Sequence, residues 1–187
     1  MNLRNSKILV VAAHPDDDVL GCGGTIAKAI SLKSKIKILF LGEGVSARFG
    51  IGNENKKKSL DARKKRNIEC KNSLKILGVN DYIFEERFCT QFDTYPLLNI
   101  VKSIENQISI FKPNLVFTHN PSEVNIDHRI THQAVLTASR PTPGNSCKKI
   151  FCFEVLSSTE WSSDSIGNNF IPNTYVDISE QLERKKL

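Results

Sequence analysis

Residues 7–25 of the chain read KILVVAAHPDDDVLGCGGT. The first seven form a short, nearly continuous apolar run, which is typical of a strand buried on both faces of a parallel sheet. His14 and three consecutive aspartates follow at once. Three adjacent carboxylates repel one another, so such a run is costly unless it is solvated or faces a cation. Because imidazole and carboxylate together suit zinc, the stretch predicts a strand followed by a metal-binding loop, with a capped turn as the alternative.

A second group of polar residues follows another predicted strand, at residues 115–118. His119 comes directly after this strand, and the sequence NIDH occupies residues 125–128. Ligands bind at the carboxyl ends of the strands in open α/β sheets, so we expect the two loops to meet at one edge of the sheet. The two loops together therefore favour a shared metal site over two unrelated turns.

Strands and helices alternate along the chain with short links. This alternation predicts an α/β sheet with helices on both faces. The predicted strands are residues 7–13, 36–41, 115–118, 150–156 and 174–178. The predicted helices are residues 25–33, 57–78, 97–111 and 129–138.

Length and composition describe one globular domain. The 187 residues suit a single core, and 40% of them are hydrophobic. No apolar run approaches the about 20 residues of a membrane span, and the run before His14 is too short for a signal peptide. Five cysteines without a C-x-x-C pair argue against a disulfide framework. These features predict a cytoplasmic protein with no membrane span.

The basic charge of the chain is confined to one segment. Residues 56–66, KKKSLDARKKR, carry seven Lys or Arg and one Asp, a net +6 that equals the net charge of the whole chain. A nucleic-acid-binding surface usually shows a broader basic patch. We therefore expect no nucleic-acid partner and interpret the segment as a solvated helix face.

Four stretches of the chain carry recognisable motifs. Residues 14–25 contain HPDD followed by VLGCGGT, and residues 125–129 read NIDHR. Residues 66–79 begin Arg-x-x-Glu and end Leu-Gly-Val, and residues 153–161 read FEVLSSTEW. Together they resemble the PIG-L/LmbE family of zinc-dependent N-deacetylases over nearly the whole chain. The resemblance implies one domain over residues 1–187, built as a Rossmann-like three-layer sandwich with a mostly parallel sheet and a metal site at the C-terminal strand ends.

The resemblance also implies roles for residues of both metal motifs. His14, Asp17 and His128 match the three zinc ligands, and Asp16 matches the general base that takes a proton from the attacking water. Zinc is the implied cofactor, with Fe²⁺ as the alternative in the cell. Asp127, beside His128, is expected to accept a hydrogen bond from an imidazole.

Two positions depart from the family pattern. Asp18 stands where the family usually has glutamate, which leaves the ligand set intact. Asn125 stands where several relatives have a histidine that polarises the carbonyl or protonates the leaving amine. Asparagine can donate a hydrogen bond to an oxyanion but cannot deliver a proton at neutral pH. Two candidates therefore remain for the general acid that protonates the leaving amine: His119, and Asp16 in its protonated form.

Four further residues are weaker candidates for contacts with a substrate. Arg66 lies on the apolar stripe of its helix, so its charge needs a partner, which is either Glu69 or a ligand. Arg48 and Arg140 could bind a phosphate of an activated sugar, with surface ion pairs as the alternative. Asp93 could bind sugar hydroxyls, or cap the helix that follows it.

The leading functional interpretation is a zinc hydrolase that removes acetyl from an N-acetylated amino sugar. The substrate class comes from the resemblance: an N-acetylglucosamine-type glycoconjugate, or a nucleotide-sugar precursor of a surface polysaccharide. A magnesium-dependent phosphohydrolase is one alternative, although histidine ligands favour zinc-type metals. An inactive protein that binds an anionic ligand or nucleic acid through residues 56–66 is the other. Monomer and homo-oligomer both stay open.

Two further expectations concern glycines and the last residues. The run Gly21-Cys22-Gly23-Gly24 predicts close packing of a helix on the sheet behind the metal loop. Residues 178–187, ISEQLERKKL, look like the start of an amphipathic helix that stops earlier than in relatives, and we expect this to leave apolar sheet surface uncovered.

Overall fold

The computed structural model describes residues 1–156, 158–162 and 169–187. Within these ranges the chain forms a five-stranded sheet in the order β3-β2-β1-β4-β5, and every neighbouring pair is parallel. The strands are β1 (Lys7–Ala12), β2 (Lys35–Gly42), β3 (Asp81–Arg87), β4 (Leu115–His119) and β5 (Lys149–Phe153). The strand order reverses direction between β1 and β4, and this crevice is where α/β sheets bind ligands.

Helices cover both faces of the sheet. The helices are α1 (Asp17–Ser31), α2 (Lys57–Leu77), α3 (Leu97–Phe111), α4 (Ile126–Ala138) and α5 (Leu182–Lys186). Apolar residues of α1 and α2 pack in one core and those of α3 and α4 in the other. The predicted three-layer α/β fold is therefore confirmed, with the sheet parallel throughout.

The central strand β1 explains why the sheet is buried on both faces. Ile8 and Val10 lie in the core under α1 and α2, whereas Leu9 and Val11 lie in the core under α3 and α4. Side chains alternate between the faces of a strand, so a strand with helices on both sides needs an apolar residue at every position. The continuous apolar run of β1 therefore fits a central strand with a helical layer on each face of the sheet.

The first helix starts earlier than the predicted residues 25–33. It runs through the glycine-rich stretch from Asp17 and is kinked at Cys22, whose backbone φ is −138°. Glycine lowers helix propensity, which is why the sequence favoured a later start. Tertiary packing overrides that preference, because Cβ atoms at Gly21 and Gly24 would overlap the Phe153 ring and the Ile178 side chain.

Two strand assignments were wrong. The edge strand β3 was not predicted, because its residues are mostly half-buried and its last three, Glu85–Arg87, are charged. Residues 174–178 were predicted as a strand but have no regular secondary structure. This segment instead covers α1, where Lys28 Nζ donates to the Asp177 carbonyl and Val176 packs against the core. No helix in the described ranges combines the length and apolar character that crossing a bilayer requires.

Gly21→Ala tests the close packing of α1 on β5. The added methyl group would overlap the Phe153 ring, so we expect a loss of about 1–3 kcal/mol in the free energy of unfolding from overpacking. Chemical denaturation measures this loss. Gly23→Ala is the matched control, because its Cβ would meet chiefly the Val19 side chain one turn earlier. Equal stability of the two variants would contradict the packing.

Candidate metal centre

The loop after β1 is tied to the end of β4 through backbone and side-chain hydrogen bonds. The Ala13 N–H donates to His119 Nε2 at 2.9 Å, and the His14 N–H donates to Asp17 Oδ2 at 2.8 Å. The next turn closes by bonds from the Asp16 and Asp17 N–H groups to the His14 carbonyl. These bonds aim the first turn of α1 at the crevice between β1 and β4.

Three candidate ligand atoms converge in this crevice. One atom each of His14, Asp17 and His128 lies within 4.8 Å of the other two, and all three residues are buried. Asp17 stands in the middle, with Oδ2 at 3.5 Å from His14 Nδ1 and Oδ1 at 3.4 Å from His128 Nε2. The structure thus brings together the three residues that the two motifs predict as ligands.

Each imidazole is held at its other nitrogen by a buried carboxylate. His14 Nε2 lies 2.8 Å from Asp127 Oδ2, and His128 Nδ1 lies 3.2 Å from Glu123 Oε2. A carboxylate on the far nitrogen places the proton there, which leaves the near nitrogen free as a ligand. Asp127 therefore makes the imidazole contact expected of it.

Both supporting carboxylates are themselves fixed by other donors. Asp127 accepts the N–H groups of Thr90 and Phe92, which follow β3. Glu123 is fully buried and accepts the hydroxyls of Ser158 and Thr159. The imidazoles are thus oriented by the loops after β3, β4 and β5.

Charge interactions shift the pKa of all three candidate ligands. Burial disfavours the His14 imidazolium, but hydrogen bonds to Asp127 and Asp17 outweigh it and raise the His14 pKa well above its ordinary value. Burial has the same effect on His128, yet the Asp17 charge raises its pKa to about 9. Burial would raise the Asp17 pKa, but the neighbouring histidines hold it well below the ordinary range. The pocket therefore attracts positive charge, whether protons or a cation.

The donor chemistry fits a divalent zinc-type ion. Two imidazole nitrogens and one carboxylate oxygen form a three-ligand set of the kind that catalytic zinc uses while keeping a position open. A second cluster, His14 with Cys89 and Asp127, also brings its ligand atoms within 4.8 Å of one another. This second cluster suits a metal ion less well, because His14 Nε2 is already hydrogen-bonded to Asp127.

Asp16 lies beside this centre and points to the cleft. Its Oδ2 accepts a hydrogen bond from Arg66 Nη1 at 2.8 Å, and its side chain is 36% exposed. Burial and the Asp17 charge raise the Asp16 pKa, whereas Arg66 opposes the rise. Glu69, one of the two partners considered for Arg66, instead faces Lys65 at 3.8 Å. Sequence reasoning missed the Asp16–Arg66 pair because 50 residues separate the partners.

The remaining aspartate of the triplet turns inward. Asp18 is fully buried, and neither carboxyl oxygen has a hydrogen-bond partner of ordinary geometry in the described part of the chain. Burial raises the Asp18 pKa to about 7, with a smaller contribution from Asp17, while the Val19 N–H opposes it. Asp18 therefore lies outside the cleft.

Asn125 and His119 occupy different places in the site. Asn125 is the N-cap of α4, where its Oδ1 accepts the Asp127 N–H, and it also lines the cleft. His119 is fully buried, and its ring stacks on His128 with centroids 4.0 Å apart. Burial and the His128 charge hold the His119 pKa well below its ordinary value. Of the two candidate acids, His119 does not line the cleft and its ring is fully buried, so its position favours Asp16.

The cleft above the centre has a volume of about 290 Å³. Arg48 lines it together with the candidate ligands. Arg140 does not, because it follows the far end of α4, where it faces Glu105 at 3.7 Å. Asp93 is exposed, lies outside the residues that line the cleft, and does not cap α3, whose N-cap is Pro96. The structure therefore places neither Arg140 nor Asp93 at the cleft, and Arg140 forms the surface ion pair that was its alternative.

Glu123 is the functional residue that sequence reasoning missed most clearly. It lies in the loop before α4, two residues before Asn125, among residues that suggest only a turn. Its role depends on full burial and on hydroxyl donors from residues 158 and 159, which only the folded chain brings near. The one available signal was an acid five residues before a candidate histidine ligand.

Comparisons with known proteins agree on the fold. The model "PIG-L: GlcNAc-PI de-N-acetylase" matches residues 9–139. The chain is 28% identical over 189 residues to the uncharacterized deacetylase YaiS of Escherichia coli (strain K12), with 98% of this chain and 88% of YaiS covered.

Two solved structures show the same fold at low sequence identity. N,N'-diacetylchitobiose deacetylase from Pyrococcus horikoshii aligns with a TM-score of 0.75 at 22% identity, covering all of this chain and 71% of that one. GalB, the 4-carboxy-2-hydroxymuconate hydratase of Pseudomonas putida KT2440, aligns with a TM-score of 0.76 at 19% identity, covering 96% of this chain and 75% of GalB. A deacetylase and a hydratase thus share the architecture, so the fold alone does not decide the reaction. Because the family model spans well over half of its residues, this chain belongs to the PIG-L (GlcNAc-PI de-N-acetylase) family.

Proposed function

We propose that this protein is a metal-dependent hydrolase that removes acetyl from an N-acetylated amino sugar. One observation carries the proposal: the His14, Asp17 and His128 cluster lies at the floor of a cleft, with the Asp16 carboxylate beside it and open to that cleft. A ligand set next to a partly exposed carboxylate is the arrangement that hydrolysis of an amide by water needs.

Zinc is the metal that we propose for His14, Asp17 and His128, with Fe²⁺ as the alternative. When bound, such an ion supplies Lewis acidity, which makes water more acidic and polarises the acetamide carbonyl. The two imidazoles argue against a magnesium phosphohydrolase, because magnesium prefers oxygen ligands.

Asp16 acts as the general base in this proposal. Its carboxylate takes a proton from water as the water oxygen attacks the acetamide carbon, and a tetrahedral intermediate forms. When the C–N bond breaks, protonated Asp16 returns the proton to the leaving amine, so the free amine and acetic acid form, and the acid ionises to acetate on release. We assign both the general base and the general acid to Asp16. His119 is fully buried, and Asn125 has no acidic proton to give.

Asn125 provides a hydrogen-bond donor to the substrate. Its Oδ1 is occupied by the Asp127 N–H, which leaves the Nδ2 amide protons for the cleft that the residue lines. An amide donor beside a developing oxyanion stabilises the transition state without moving a proton. Its place at the start of α4 also adds the partial positive charge of the helix N-terminus.

The sugar part of the substrate is supported by family membership and by the named activities of relatives. The family model carries the name of a de-N-acetylase that acts on N-acetylglucosaminyl phosphatidylinositol, and one structural neighbour deacetylates N,N'-diacetylchitobiose. We therefore propose an N-acetylglucosamine-type group as the part that enters the cleft. Arg48, which lines the cleft, and Arg66, which pairs with Asp16, are the cationic side chains that we propose beside it.

The first prediction separates metal binding from proton transfer. Asp16→Ala is expected to keep its metal but to lose about 10²–10⁴-fold in acetate release from N-acetylated sugars, because only the base is removed. His128→Ala is expected to lose both the metal and the activity, because a ligand is removed. Elemental analysis and an acetate assay measure the two effects. Asp16→Ala with the turnover of the unsubstituted protein, or His128→Ala with a full complement of metal, would refute the assignment.

The second prediction concerns Arg66 as a positioning residue for Asp16. The guanidinium lowers the Asp16 pKa, so Arg66→Met is expected to raise it and to move the acidic limb of the kcat/KM profile to higher pH. Arg63→Met is the matched control, because Arg63 lies one turn earlier on α2 and pairs with Glu86 at 3.0 Å. An acidic limb at the same pH in both variants would show that Arg66 does not act on the base.

A further inference from the structure

The start of α2 carries a basic cluster that the proposed deacetylation does not use. Lys56, Lys57 and Lys58 begin the basic segment, and none of them forms an ion pair in the described ranges of the chain. Later residues of the segment behave differently. The paired ones are Arg63 with Glu86, Lys65 with Glu69, and Arg66 with Asp16. The unpaired charges of the described segment are therefore Lys64 and the three lysines, and only the three lysines lie together at the helix start.

The position of these lysines opposes the electrostatics of the helix. The N-terminus of a helix carries partial positive charge, which favours acids and disfavours lysine. Helix α2 is 21 residues long, its N-cap is Lys56, its first turn has no acidic residue, and no side chain caps it. Its first backbone N–H groups are thus left for an external acceptor.

A cavity of about 500 Å³ opens at this helix start. It is lined by the three lysines and by Phe49, Asn53 and Ser59. Ser59 is fully buried, and its hydroxyl has no hydrogen-bond partner in the part of the chain that the structure describes. Several buried hydroxyls lack a partner in these ranges, but Ser59 is the one that also lines the cavity at the helix start, where its proton is free to be donated.

We propose that this cavity, the α2 cavity, binds a phosphate-type oxyanion. Such an anion accepts bonds from the free N–H groups at the helix start and from the Ser59 hydroxyl, while the lysines balance its charge. Two acids are near in sequence. Glu54 is occupied by the Gly52 N–H and Gln91, and Asp61 lies one turn further along α2. The local net charge is still positive, because three lysines outnumber these two carboxylates, and a positive charge favours an anion.

One short turn contributes to the lining of both the α2 cavity and the metal cleft. Phe49 and Arg48 are neighbours in the 3₁₀ turn Ser46–Phe49, and Arg48 lines the metal cleft while Phe49 lines the α2 cavity. If the proposed deacetylation holds, the oxyanion is a phosphate of the substrate itself, so that the sugar is phosphate- or diphosphate-linked. The same chemistry would also bind a free phosphate ion, and the test separates the two sources.

Calorimetric titration of inorganic phosphate into the full-length, metal-loaded protein tests the site without requiring turnover. Lys57→Gln/Lys58→Gln is expected to weaken phosphate binding at least about tenfold, the value of one charge-assisted hydrogen bond. Lys64→Gln/Lys75→Gln is the matched control, because it removes the same charge from exposed positions of the same helix. Ser59→Ala is expected to weaken binding without lowering the melting temperature, because the hydroxyl has no partner to lose in the free protein.

Kinetics then identify the source of the phosphate. In the Lys57→Gln/Lys58→Gln variant, the ratio of kcat/KM for a nucleoside-diphosphate N-acetylglucosamine to that for free N-acetylglucosamine is expected to fall about tenfold if the phosphate belongs to the substrate. An unchanged ratio with weakened phosphate binding would assign the site to a free phosphate ion. Phosphate binding that is equal in all variants, or equally weakened in the Lys64/Lys75 control, would overturn the proposal while leaving the deacetylation intact.

Discussion

The buried Asp17 carboxylate is the interaction on which the site depends. Its oxygens lie within 3.5 Å of imidazole nitrogens of His14 and His128, and within 3.4 Å of His119 Nε2. An isolated carboxylate in this position would be costly, so its charge demands cations or a metal around it. Asp17 also lies in the first turn of α1, where the helix N-terminus favours negative charge. One residue thus ties the ends of β1 and β4 to a single centre.

The three consecutive aspartates have different roles because their side chains point in different directions. Successive side chains at a helix start point about 100° apart, so neighbours in sequence face different surroundings. Asp16 reaches the cleft and Arg66, Asp17 faces the imidazoles, and Asp18 is buried beneath them. The mutual repulsion of the triplet is therefore relieved in three ways: an arginine, a candidate metal site, and a raised pKa of about 7 at Asp18.

Sequence reasoning reached the parts of this protein that depend on local pattern. The apolar run of β1 predicted a strand with helices on both sides, and two motifs predicted which residues converge. Contacts between distant segments could not be predicted from local pattern. Glu123 meets Ser158 and Thr159, and Arg66 meets Asp16, only because the folded chain brings these residues together. Propensity also gave wrong assignments where packing overrides it. Gly21 and Gly24 continue α1 because larger residues would overlap Phe153 of β5 and Ile178, and residues 174–178 cover α1 instead of joining the sheet.

The proposed chemistry requires His14, Asp17 and His128 to hold one divalent ion. X-ray absorption at the zinc edge of the zinc-loaded protein measures the ligands directly. We expect one ion per chain with two imidazole nitrogens at about 2.0–2.1 Å and oxygen atoms as the remaining ligands. Sulfur at about 2.3 Å would place Cys89 on the metal, and a shell without histidine would remove the ion from this crevice. Either result would contradict the assignment of the centre.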